Sequence, residues 1–339
     1  MVVRERWRFS TALVLVAMLL PSRSHADDGG ISFWLPGLFG SMAAVPVTPG
    51  PSFTTLYYHS SVSAGGGKSF VLGGHVVAGV NANADLLAFG PTYTFAESVL
   101  GGQAAISLLG VGGHPQATIN ATLSGPMGHT ISGSRSDAIT AFGDMLPEAT
   151  LKWNRGVNNF LTYLTGDIPV GSYDVTRLAN TGLGHGAIDG GGGYSYFNPA
   201  SGNEASITLG LTYNFRNDAA NYQNGVDLHL DWGTSHFFSN HVQLGLVGYF
   251  YNQISPDTGA GATLGSFESR VGGVGPQVGY AFPIGNGAQV YVSVKGYKEF
   301  AAKNRPSGWN VWLAFVISRA PPPRPPPPAT QGLYPGGHS

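Results

Sequence analysis

Residues Glu204 to Phe215 read EASITLGLTYNF, and they alternate without a break. Ala205, Ile207, Leu209, Leu211, Tyr213 and Phe215 fall on one face, and Ser206, Thr208, Gly210, Thr212 and Asn214 on the other. A period of two is a strand pattern. The run is longer than the usual soluble strand of about 5–6 residues and matches the ~9–11 that cross a bilayer at a tilt. The pattern recurs. Val226, Leu228, Leu230 and Trp232 oppose Asp227, His229 and Asp231. Ala288, Val290, Val292 and Val294 oppose Gln289, Tyr291, Ser293 and Lys295, and Trp309, Val311, Leu313, Phe315 and Ile317 share a face. Tyr213, Phe215, Trp232 and Trp309 are placed near strand ends, where interfacial aromatic girdles belong.

Composition agrees with strands that face lipid. Charged residues make up 10% of the chain, against about 25% in average globular domains. Glycine is abundant at 51 residues, and cysteine is absent, so no disulfide framework supports the fold. Aromatics at 12% argue against disorder. No window after residue 26 holds 18 consecutive apolar residues, which excludes helical spans. A formal net charge of -1 gives nucleic acid no attraction. Ahead of this chain stands a leader. Arg4, Arg6 and Arg8 precede an apolar run from Thr11 to Leu20, and Ser24-His25-Ala26 supplies small residues for cleavage after Ala26. Residues 1–26 are therefore expected to be a secretory signal peptide.

The fold class expected is all-β: a transmembrane antiparallel up-and-down barrel over residues 51–318. Twelve strands are expected near 51–62, 84–96, 101–112, 146–153, 157–167, 188–197, 204–216, 224–234, 241–252, 270–283, 287–299 and 308–318. Short links at Glu97–Leu100, Asn154–Gly156, Asn198–Asn203 and Pro283–Gly287 fall at one end. Long links at 63–83, 113–145, 168–187 and 255–269 fall at the other, which is the asymmetry of outer-membrane barrels. The segment 113–145 has room for a further hairpin, which would make fourteen strands. Residues 319–339 contain PPPRPPPP. Such a run is extended polyproline II and cannot join a sheet ladder, so a Pro-rich disordered tail is expected there.

The words along the barrel resemble those of the outer-membrane transporter family labelled "putative MetA-pathway of phenol degradation". They include SFWLPG at 32–37, TGDIPVG at 165–171, RLAN at 177–180, GGGYSYF at 191–197 and YQNG at 222–225. LHLDW at 228–232, LVGYFY at 246–251, GPQVGY at 275–280, GYKEF at 296–300 and NRPSGWNVWL at 304–313 continue the series. The resemblance implies a channel in the outer membrane that passes small apolar or aromatic solutes.

A twelve-stranded barrel is wide enough that inward side chains need not fill it. Asp227, His229 and Asp231 on one strand and Gln289, Tyr291, Ser293 and Lys295 on another are the candidate pore-lining residues. The expected partners are outer-membrane lipid and a small solute; no cofactor or metal is expected. Two other readings compete with a channel. A barrel lipid-modifying hydrolase would need a nucleophile beside His229, with Asp227 or Asp231 to orient the ring, but no GxSxG stands in the chain. A structural or adhesive surface barrel would conduct nothing. The segment GISFWLPGLFG at 30–40 belongs to an arm, residues 27–50, that precedes the first strand. Being apolar, it is expected to avoid water. Phe33, Trp34, Leu35, Pro36, Leu38 and Phe39 are expected to tuck into the lumen as a hatch, with Pro36 and Gly37 supplying a bend. The other reading of Trp34 is an anchor at the membrane interface.

Overall fold

The computed structural model describes residues 33–64, 70–72, 75–77, 79–124, 130–238, 241–262, 268–285 and 287–320. The expected signal peptide, the start of the arm and the Pro-rich tail beyond residue 320 lie outside the described residues.

The wall begins with β1 (Gly50–Ala64). A small hairpin, β2 (Phe70–Leu72) and β3 (His75–Val77), follows. Two long strands come next, β4 (Gly79–Val99) and β5 (Gly102–Ser124), then β6 (Thr130–Ala138). The chain continues through β7 (Ala141–Arg155), β8 (Asn158–Asp167), β9 (Ala187–Asn198) and β10 (Asn203–Asn214). It finishes with β11 (Asp227–Phe237), β12 (Val242–Gln253), β13 (Arg270–Ile284), β14 (Ala288–Lys303) and β15 (Ser307–Arg319).

Twelve of these strands close a ring in the order β1, β4, β5, then β7 to β15. Every pair is antiparallel, and β15 returns to β1 in register from Phe53 opposite Ile317 to Ser63 opposite Ser307. Closure leaves no bare edge within the wall, as hydrocarbon requires. The uncertain segment 113–145 holds one additional strand, not a hairpin in the wall. β5 pairs with β7 as far as Gly113, and beyond it pairs with β6 from Gln116 to Ser124. β5 outlasts its wall neighbour, and β6 covers the edge that would otherwise be exposed.

The two faces invert the order of a soluble sheet. On β10, Ile207, Leu209, Leu211 and Tyr213 point outward and are 44–47% exposed, while Thr208, Thr212 and Asn214 point inward and are buried. Outward charge is managed near the rim. Asp85 on β4 accepts a hydrogen bond from the Tyr57 hydroxyl at 2.5 Å and pairs with His59 at 2.7 Å. One girdle placement is corrected. Trp232 lies mid-strand, because β11 runs on to Phe237, and its indole covers Gly248 of β12 on the outer face.

Candidate functional site: a lumen shared by an internal arm and an apolar cavity

Residues 33–49 do not hang from the barrel. They run inside it, starting from the short-turn end. At the base, Gln103 near the β4–β5 turn donates to the Val47 carbonyl at 2.8 Å and accepts from the Val47 amide at 2.9 Å. Lys152 donates to the Val45 carbonyl at 3.3 Å. Higher up, the Ala44 amide donates to Ser195 Oγ at 3.0 Å. The Met42 amide donates to Glu204 Oε1 at 2.9 Å and lies 3.0 Å from Ser206 Oγ. The arm then climbs β11, with Ser41 against Gly233, the 37–39 backbone at Asp231 and Trp34 at His229. An irregular backbone can lie at membrane depth only where protein satisfies its polar groups. Here inward side chains of the wall supply those partners.

The firmest grip is at Gly37 to Phe39. Asp231 takes the Gly37 amide on Oδ1 at 2.9 Å and the Phe39 amide on Oδ2 at 3.2 Å. From β14, Lys295 Nζ donates to the carbonyls of Gly37, Leu38 and Phe39, the last two at 3.0 Å. An anion thus holds the amides and a cation holds the carbonyls of one short stretch, in charge-assisted bonds worth about 1.5–3 kcal/mol each. The stretch presents itself because Leu35 to Leu38 form a tight turn, closed by the Leu38 amide on the Leu35 carbonyl at 3.3 Å. Pro36 sits at its second position and Gly37, with φ +88°, at its third, which is type II chemistry. A Cβ on Gly37 would also come within 2.9 Å of the Tyr297 ring.

Trp34 is 1% exposed. Its indole stacks on the His229 imidazole, with ring centres 3.8 Å apart and planes 13° apart, and Phe39 and Tyr163 close the cluster. Glycines make the room. A Cβ on Gly210 would lie 2.0 Å from the Tyr163 hydroxyl and 2.5 Å from the His229 ring, and one on Gly191 would strike Tyr163. Across the gap at Gly210, His229 Nε2 reaches Asp189 Oδ2 on β9 at 2.8 Å. The partners expected from the sequence, Asp227 and Asp231, stand on its own strand. Residues two apart on one strand are about 7 Å apart, so the missing side chain on β10 makes Asp189 the nearer carboxylate.

The arm leaves space on one side. A cavity of about 240 Å³ lies between it and the inner faces of β1, β4, β5 and β7. Phe33, Trp34, Leu35, Leu38 and Phe39 form one flank, and Leu56, Tyr58, Leu86, Ala88, Leu109, Val111 and Leu146 are prominent on the other. Trp312 of β15 also borders it, in ring contact with Tyr58 at 4.6 Å. Polar lining is sparse: five hydroxyl residues, Thr54, Tyr58, Thr92, Ser107 and Thr165, and the carboxylate of Glu148.

Residues 65–315 match the family described as "Putative MetA-pathway of phenol degradation". The chain belongs to that family. The COG4313 outer membrane channel from Pseudomonas putida F1 is similar in fold, with a TM-score of 0.56 at 12% identity, over 82% of this chain and 98% of that one. The transport unit of the autotransporter AIDA-I from Escherichia coli aligns at TM-score 0.42 and 10% identity, over 88% of this chain and 98% of its own. The CymD monoaromatic hydrocarbon channel aligns at 0.38 and 7%, over 80% and 88%. At TM-scores below 0.5 these last two barrels are too dissimilar to bear on function here. Comparison with curated proteins finds no match. This member of the phenol-degradation family is an outer-membrane β-barrel.

In this family member the candidate lumen residues separate into groups. His229, Asp231 and Lys295 meet the arm. Asp227 is buried and accepts from the Asn214 amide at 2.9 Å. Gln289 and Tyr291 lie toward the short-turn end, where Gln289 reaches Ser318 at 3.4 Å and Tyr291 donates to Gln243 at 2.5 Å. Ser293 is buried beside them on β14. The cavity lining includes none of these seven and five of the six arm residues singled out; Pro36 is buried within the turn. Glu148 and the apolar wall of β1, β4, β5 and β7 were missed. A signal for them existed. Leu86-Leu87-Ala88-Phe89 and Leu108-Leu109 break the apolar–polar alternation, which is how a strand reads when both of its faces are apolar.

Proposed function

We propose that this barrel admits small hydrophobic or aromatic compounds by passive diffusion, with the arm at 33–49 acting as a hatch. The observation that carries the reading is the apolar cavity beside the arm inside an outer-membrane wall. A water-filled pore lined by charge would select ions; a lumen whose free space is bounded by Leu, Val, Phe and Trp suits a solute with an apolar body. At 240 Å³ it exceeds the roughly 150 Å³ of an engineered apolar cavity that holds benzene. The arm occupies part of the lumen, so a solute would pass along its flank or follow release of the Gly37–Phe39 turn from its grip. The family description, a pathway of phenol degradation, favours the same class of cargo. The test is uptake of toluene and cresol by cells with and without the protein. Faster uptake with it is expected; equal uptake would overturn the reading.

A further inference from the structure

We propose that Glu148 sets the selectivity of the cavity, and that the preferred solute is a neutral single-ring compound carrying a hydroxyl donor. The inference rests on the cavity being the solute path. Glu148 stands on β7 two residues after Leu146, so the two side chains share the inner face. It is the sole charged side chain in the described lining. Its surroundings give it little to bind. Directly opposite on β8 is Thr165, whose hydroxyl donates to the Pro147 carbonyl at 2.9 Å. Lys152, four residues farther on the same inner face of β7, is the cation whose charge bears on Glu148, but its ammonium donates to Val45 at the base of the arm. Among the described residues none donates a hydrogen bond to the Glu148 carboxylate.

When ionised, with the Lys152 charge on the same face, the Glu148 carboxylate only accepts hydrogen bonds. Facing hydrocarbon on most sides, it discriminates by what the solute brings. A hydroxyl gives it a charge-assisted bond that replaces one to water. The methyl ether of the same ring gives it none. A ring bearing a carboxylate places like charge against it. Ring surfaces of Trp34, Phe39 and Trp312 accept all three bodies alike, and among the polar groups of the described lining Glu148 is the one that carries charge.

The experiment is isothermal titration of the full chain in amphipol with p-cresol, 4-methylanisole and 4-methylbenzoate. Wild type is expected to bind p-cresol about tenfold or more tighter than 4-methylanisole and to show no binding of 4-methylbenzoate. Glu148→Leu should lower that cresol-to-anisole ratio by about tenfold. Glu148→Gln, which keeps an acceptor oxygen, should retain part of the ratio and admit 4-methylbenzoate. Heat-modifiable gel migration checks that both variants fold. An unchanged ratio in Glu148→Leu overturns the assignment while leaving the cavity as a solute path. Failure of wild type to bind either neutral ring overturns both.

Discussion

The lumen has two unlike walls. The wall made by β9, β10, β11 and β14 presents Ser195, Glu204, Ser206, Asp231 and Lys295, and the arm lies against it through hydrogen bonds. The wall made by β1, β4, β5 and β7 presents Leu56, Leu86, Ala88, Leu109 and Leu146, and a cavity lies against it. The difference shows what decides occupancy. A non-strand segment carries backbone amides and carbonyls that need partners wherever water is excluded, so it settles on the polar wall. Beyond Gln103 of β5 and Lys152 of β7, which hold Val47 and Val45 at the base of the arm, the apolar wall presents hydrocarbon to the arm and stays open for a guest without such groups. The apolar side chains of the arm then turn toward the cavity and complete its lining.

Substitutions on the two walls should therefore act differently. The largest effect is expected from Asp231→Leu, which leaves Lys295 as an uncompensated charge in the lumen and strands the Gly37 and Phe39 amides. Docking of the arm should weaken by about 3–5 kcal/mol, read as a gain in proteolysis of the arm in proteoliposomes and a rise in single-channel conductance. Next is Trp34→Ala, which removes the ring that stacks on His229 and should cost about 3 kcal/mol of docking. Gly37→Ala should cost about 1–2 kcal/mol for the left-handed backbone alone, more if Tyr297 cannot yield. Smallest for docking is Ala88→Leu on the apolar wall. It should leave arm proteolysis within about 0.5 kcal/mol of wild type yet slow cresol uptake, because it fills the cavity. If Ala88→Leu released the arm, or Asp231→Leu left it docked, the division between the walls would fail.

The barrel was legible in the sequence for a physical reason. Lipid outside and polar contacts inside impose a period of two, and β10, β11 and β14 carry it plainly. All twelve wall strands are found within a few residues of their expected places at one or both ends. β4 and β5 run on well past their expected ends because hairpin pairing continues above the wall, where the hydropathy pattern is no longer enforced by lipid. The region around the arm was legible only in part. Apolar residues broken by Pro36 and Gly37 mark a segment that needs shelter and bends, but nothing along the chain brings Asp231 and Lys295 to the same three residues. That meeting depends on ring closure, with β11 and β14 three strands apart around the barrel. Asp189 as the partner of His229 was hidden for a related reason, since it depends on Gly210 of the strand between them. The cavity wall was hidden because alternation marks a strand with one polar face, and β4 and β5 lack it where they face the cavity.

The most direct test of the central claim locks the arm in place. The chain has no cysteine, so an introduced pair is unambiguous. A Cβ at Gly40 would lie 3.6 Å from Cγ1 of Val247 on β12, so side chains at the two positions face each other at the short range a disulfide needs. Gly40→Cys with Val247→Cys, oxidised in proteoliposomes, should fix the gripped turn to the wall. If the arm is a hatch, cresol flux falls on oxidation and recovers on reduction, while the Gly40→Cys single variant responds to neither. Flux that is the same in the oxidised and reduced double variant would contradict a moving arm and leave the cavity to conduct past a fixed plug.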